Sequence, residues 1–187
     1  MNTLLESVKS LALRNTQAKI GVVRRFRRRV VDASERGLPF LRRDATTCYV
    51  APWSFLIING YDEICEMAQF EVEGSRVKDE TLYGALLTRL DINDSFTAGD
   101  CDLDYDTRAA ILQQTLGRLN AIEQRLMAYL ELIEGSAADA KLQSDDEGVI
   151  RIVPAWSFKS PRFGVSVAVF YSAGGELTDR TLYQEFA

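Results

Sequence analysis

Two stretches of this chain copy one another, and that repetition restricts the fold more than any other feature. Val50, Trp53, Ser54 and Phe55 recur as Val153, Trp156, Ser157 and Phe158 at a constant offset of 103 residues. Ala68, Phe70, Gly74, Asp79, Thr81, Leu82 and Tyr83 recur as Ala168, Phe170, Gly174, Asp179, Thr181, Leu182 and Tyr183 at an offset of 100. The change of offset falls between the two blocks, where loop length is free to vary. Convergent strand patterning matches residue classes; it does not reproduce runs such as W-S-F and T-L-Y. The chain therefore reads as one unit used twice.

Each copy follows a long amphipathic segment. Leu4, Leu5, Val8, Leu11, Ala12, Ala18, Val22, Phe26 and Val30 recur at intervals of three and four, the spacing of one helical face. Thr3 and Glu6 have capping-box spacing, Gly37 and Pro39 supply a stop, and Asn15 and Gly21 predict a bend in between. A second helix is capped by Asp106 or Thr107. It carries Leu112, Leu116, Leu119, Ile122, Leu126, Leu130 and Ile133 as a seam and ends at Gly135. The polar stretch after it, SAADAKLQSDDEG, reads as a loop.

Hairpins come next. TTCYVAPWSFLII runs to Asn59-Gly60, a favoured two-residue turn, and YDEICEMAQFEVE returns. VIRIVPAWSF runs to KSPR and FGVSVAVFYS returns with period-two alternation. DETLYGALLTRL reads as a short helix capped by Asp79, and TDRTLYQEFA as helix or edge strand.

These elements predict an α+β fold. Two tandem helix–β-hairpin modules, at 1–90 and 107–187 with an acidic linker at 91–106, are related by a pseudo-two-fold. One antiparallel sheet is covered by two long helices. Trp53, Phe55, Phe70, Trp156, Phe158 and Phe170 are the expected structural core. The α-β-β-α-β-β order resembles a circularly permuted ferredoxin-like layout, which by itself implies no function.

Charge separates the copies. Residues 1–43 hold eleven basic and three acidic side chains, a net of +8, in a chain whose total is −5. The run Arg24, Arg25, Arg27, Arg28 and Arg29 wraps a helix around Phe26. Such density repels itself unless an anion neutralises it, and arginine suits bidentate carboxylate or phosphate contacts. The counterpart is Asp100, Asp102, Asp104 and Asp106, whose alternation puts four carboxylates on one side of an extended segment. Asp91 and Asp94 precede them. The glycine and terminal glutamate of an EF-hand are absent, so a helix-capping linker is preferred to a calcium site.

Much chemistry is missing. The sequence has no histidine, the usual general base near neutral pH and the commonest metal ligand. It has no G-x-G-x-x-G, no phosphate-binding G-x-x-x-x-G-K-[ST] and no C-x-x-C. Cys48, Cys65 and Cys101 fit reduced thiols, and aspartates around Cys101 would raise its pKa and blunt it.

No catalytic residues, metal or cofactor are therefore expected. The opening residues lack the apolar core of a secretory signal. Their Arg-rich continuation has a transit-peptide flavour that Glu6 opposes. The expected setting is the cytoplasm or a virus or phage particle, without a membrane. The expected role is a non-catalytic assembly subunit, such as a connector, ring or tail component, with protein partners or self-association between basic and acidic patches. The alternatives are a nucleic-acid-binding module using the Arg-rich helix, or a small acidic regulator or inhibitor of one protein.

Overall fold

A computed structural model describes residues 2–43, 47–54, 68–87, 98–101 and 103–183. The fold is α+β, with two helices and antiparallel sheets. Helix α1 spans Asn2–Glu35 and α2 spans Tyr105–Gly135. Thr3 lies inside α1, and neither Asn15 nor Gly21 breaks it. Asn15 instead uses its amide on Asp179, as set out below. Gly37, at φ +62°, closes α1 by donating its N–H to Ser34 (3.0 Å), and Leu38 donates to Ala33 (3.1 Å). Only glycine adopts that φ without strain. The cap of α2 is Asp104, whose carboxylate accepts the Thr107 N–H at 2.8 Å and the Thr107 hydroxyl at 2.9 Å. Among the described residues no helix is long and apolar enough to cross a membrane.

The chain forms two compact units. The first takes in residues up to Gly21 and from Glu123 onward; the second holds Val22–Ile122. In the second unit the strands are β1 (Phe40–Arg43), β2 (Cys48–Val50), β3 (Gln69–Glu73), β4 (Arg76–Asp79) and β5 (Ala98–Cys101). They pair antiparallel in the order β4-β3-β2-β1-β5. Trp53 sits in the core against the edges of Phe40 and Phe70, with ring centroids 5.5 and 6.5 Å away.

In the first unit β6 (Ala140–Ser144), β7 (Ile150–Pro154), β9 (Phe170–Ala173) and β10 (Glu176–Asp179) pair in the order β10-β9-β7-β6. A separate pair joins β8 (Val165–Val167) to β11 (Leu182–Tyr183). Val8 and Ala12 of α1 and Tyr129 and Ile133 of α2 pack with Ile152, Trp156, Val165, Ala168 and Phe170.

Several expectations change. The strands make three sheets among the described residues, not one. Both W-S pairs lie in 3-10 turns, Pro52–Ser54 and Ala155–Phe158, instead of in strands. With about three residues per turn, positions two apart face different ways. Trp156 is therefore buried while Phe158, expected in the core, is 65% exposed. Trp53, Phe70, Trp156 and Phe170 are buried as expected, and Phe55 lies outside the described residues. KSPR opens a second 3-10 turn, Ser160–Phe163. Ala168 leaves the ladder to donate its N–H to Ser157 Oγ (3.0 Å), which divides the return segment into β8 and β9. The polar stretch after α2 contains β6, and the segment after Asp79 forms a 3-10 turn at Tyr83–Leu87. The Asn59-Gly60 turn lies outside the described residues.

Identical bonds recur in both units. Ala68 N–H donates to Ser54 Oγ at 2.8 Å, as Ala168 N–H does to Ser157 Oγ. Asp79 and Asp179 each accept, through Oδ1, the N–H of the threonine two residues on, at 2.9 Å. Glu80 donates to Gln69 and Arg180 to Val169, both at 2.9 Å. The turns after β3 and β9 open on Gly74 and Gly174, each at φ +58°. The helices follow suit at the offset of 103. Val8, Ala12, Thr16, Ile20, Val23, Phe26 and Val30 are buried in α1, and Ile111, Thr115, Leu119, Glu123, Leu126, Tyr129 and Ile133 are buried in α2.

Candidate interaction surface

The Arg-rich face belongs to the second unit. Burying Val23, Phe26 and Val30 leaves the positions between them outward on a 3.6-residue helix. Arg24, Arg25 and Arg28 are exposed, while Arg27 and Arg29 are half-buried. Arg27 Nη1 donates to Asn120 Oδ1 of α2 at 2.9 Å. Beside it a shallow groove of about 490 Å³ is lined by Arg27, Arg28, Val31, Asp32, Leu116 and Asn120. Val31, in that lining, is 38% exposed. Asp32 also pairs with Arg36 at 3.6 Å, an exposed i,i+4 contact worth little in water. The surface thus joins a dense cationic ridge to an apolar strip with acids at one side.

The acidic segment does not form the expected comb. Asp100 lies in β5, where its backbone is opposite Leu41, and Asp106 lies in the first turn of α2. A strand followed by a helix cannot keep four alternate residues on one side. Asp104 is held by its Thr107 bonds, which keep its carboxyl below the usual range, and Asp106 is placed to favour the helix dipole. Asp91, Asp94 and Asp102 lie outside the described residues. Among those described, no three His, Cys, Asp or Glu side chains are grouped to hold a metal ion. Cys48 is a half-buried thiol outside any disulfide among the described residues, and burial raises its pKa, with smaller contributions from nearby charges. A raised thiol pKa makes a poor nucleophile near neutral pH.

The sequence reading missed two polar clusters. In the second unit Tyr83 Oη donates to Asp79 Oδ2 at 2.8 Å, and the Arg118 guanidinium is 5.3 Å from the Tyr83 ring centroid. In the first, Asn15 Nδ2 donates to Asp179 Oδ2 at 2.7 Å, and Lys19 Nζ is 4.6 Å from the Tyr183 ring centroid. Burial lowers the Lys19 pKa and Asp179 partly restores it. The repeated D-x-T-L-Y was the available signal; the cations come from the helices, where the letters do not repeat. A cleft of about 300 Å³ beside Trp53 was also missed. It is lined by Leu38, Phe40, Pro52, Tyr105, Arg108 and Leu112 among others. Among the described residues Trp53 Nε1 has no hydrogen-bond partner, and Arg108 Nε donates to the Leu103 carbonyl at 2.8 Å.

Comparison with known protein families, with curated proteins and with solved structures gives no match.

Proposed function

We propose that this chain is a duplicated helix–sheet module acting as a non-catalytic assembly subunit, which docks a carboxylate-rich surface of another protein on the basic face of α1. The duplication is supported by the hydrogen bonds and buried helix positions that recur at fixed offsets. One observation carries the docking. At the offset of 103, Arg24, Arg25, Arg27, Arg28 and Arg29 correspond to Met127, Ala128, Leu130, Glu131 and Leu132. Those α2 residues flank the corresponding buried seam, with the same exposure in each pair but one, since Arg25 is exposed and Ala128 half-buried. Helix α2 thus builds the corresponding stretch of its seam without arginine.

A protein partner is favoured over nucleic acid by the groove itself. Asp32, Glu35, Val31 and Leu116 share its lining with the arginines. The acids would repel any polyanion alike, but an apolar strip has no counterpart on a phosphate backbone and suits a protein surface of mixed character. Asp104 is engaged by its own helix, and the proposed partner acids belong to another protein. A particle or machine built from repeated subunits is the proposed setting.

The test compares two polyanions, polyglutamate and a short DNA duplex, by titration calorimetry at rising salt. Polyglutamate is expected to bind more tightly at every salt. Replacing Arg24, Arg25 and Arg28 with glutamine is expected to weaken binding at least tenfold. Tighter binding to the duplex would move the reading to nucleic acid, and binding unchanged by the glutamines would remove the basic face from it.

A further inference from the structure

One edge is treated differently in the two units. The outer edge of β1 is occupied by β5, through Phe40↔Cys101, Leu41↔Asp100, Arg42↔Gly99 and Arg43↔Ala98. The strand in the corresponding place is β6, because Leu41 is opposite Val50 and Lys141 is opposite Val153. Among the described residues β6 has no strand on its outer side, and Lys141–Ser144 are exposed. We propose that this edge pairs with β6 of a second copy of the chain, antiparallel and centred on Leu142, to make a symmetric dimer. The surface is distinct from the basic face of α1, and the proposal does not rest on that reading.

The direction of the backbone groups sets the register. Ala155 N–H donates to the Asp139 carbonyl (2.9 Å) and Asp145 N–H to the Val149 carbonyl (3.0 Å). Bonding alternates along an antiparallel ladder, so residues 139, 141, 143 and 145 face β7. Ala140, Leu142 and Ser144 turn their backbone groups outward, with the Ala140 N–H already held by Asp139 Oδ1 at 2.8 Å. Centring two β6 strands on Leu142 makes the two Leu142 residues exchange N–H and carbonyl bonds. Each Ser144 N–H then meets the Ala140 carbonyl of the other copy. Lys141 falls opposite Gln143, so no lysine faces a lysine.

Side chains point to the same register. Leu142 is opposite Ile152, and Ile152 is opposite Phe170. Ile152 and Phe170 are fully buried, yet Leu142 at the end of that row is 37% exposed. A second Leu142 continues the apolar row into the other copy's Ile152 and Phe170. Exposed edge strands are usually guarded by charge. Here Lys141 lies on the opposite face of the pleat from Leu142, its ammonium 5.0 Å from the Phe158 ring centroid. It leaves the leucine row unguarded.

Sedimentation of the full chain over rising concentration tests this, with circular dichroism melting as the folding control. The wild type is expected to reach twice the monomer mass. Leu142→Lys sets like charges opposite each other, and Leu142→Pro removes an outward N–H that β7 does not use; each is expected to stay monomeric with its melt retained. Should either variant fail to fold, mild oxidation of Leu142→Cys decides. The register brings the two Cα atoms within about 5.5 Å, so a disulfide-linked dimer is expected from Leu142→Cys and none from Gln143→Cys or the wild type. A wild-type monomer at every concentration overturns the proposal, whatever foreign strand the edge then takes. So does a dimer that survives Leu142→Lys or Leu142→Pro, or cross-linking at 143 in place of 142.

Discussion

At Ser54 and Ser157 a hydroxyl stands in for a rung of the ladder, accepting the N–H of Ala68 and Ala168 at 2.8 and 3.0 Å. Both serines and both alanines are buried, so truncating the hydroxyl strands a donor away from water. Ser54→Ala and Ser157→Ala are each expected to cost about 1–3 kcal/mol in chemical denaturation. The proposed duplication requires costs of the same order; a neutral change at either serine would contradict it. The buried phenols make a second prediction at this scale. Burial pushes Tyr129 up to about 12 and, with the Asp79 and Asp179 charges adding, raises Tyr83 and Tyr183 further. Folded values above the ordinary 10.0 mean stability that is whole below pH 10 and lost as pH rises through the folded values. For Tyr129 alone that is about 2–3 kcal/mol. The tyrosinate absorbance of Tyr83, Tyr129 and Tyr183 should therefore appear only with alkaline unfolding.

Among the elements, α2 shows how a cap is decided by geometry that a sequence leaves open. Asp104, Asp106 and Thr107 are all acceptable cap residues, and only the turn at 103–105 selects Asp104. Asp104→Ala is expected to lower the melting temperature at neutral pH, whereas Asp104→Asn, itself a good cap, is expected to retain most of it. The folded pKa of Asp104 lies below its ordinary value. Its contribution is therefore present above the ordinary carboxylate range and disappears as pH falls through the folded value. The gap between wild type and Asp104→Ala should close in acid; a gap independent of pH would remove the carboxylate from the account.

The helices and the paired Trp-Ser positions were legible because periodicity and copied letters survive in the sequence. The 3-10 turns were not, since W-S-F alternates like a strand until Pro52 and Pro154 set the turn. Strand β6 was hidden by polar residues, because only Ala140 reaches the core. Of the candidate site, the arginines could be read directly. The groove beside them could not, because Leu116 and Asn120 come from a distant part of the chain.

Across the whole molecule, the offset of 103 reaches into helices whose letters scarcely agree: along the buried seam Phe26 answers Tyr129 and Ile20 answers Glu123. On the proposed duplication, burial at these positions outlasts the identity of the residues, including the exchange of an apolar side chain for a polar one. Against that background the arginine face is the largest departure, and three of its five members, Arg24, Arg25 and Arg28, lie on exposed positions where change usually costs the fold little. The central claim is that these arginines serve binding and not folding. Its most direct test is to transplant the second copy's residues into the first, as Arg24→Met, Arg25→Ala, Arg27→Leu, Arg28→Glu and Arg29→Leu in one chain, and to measure polyglutamate affinity beside the thermal melt. The account predicts a melt within a few degrees of wild type and at least a tenfold loss of affinity. A collapsed melt, or affinity left intact, would contradict it.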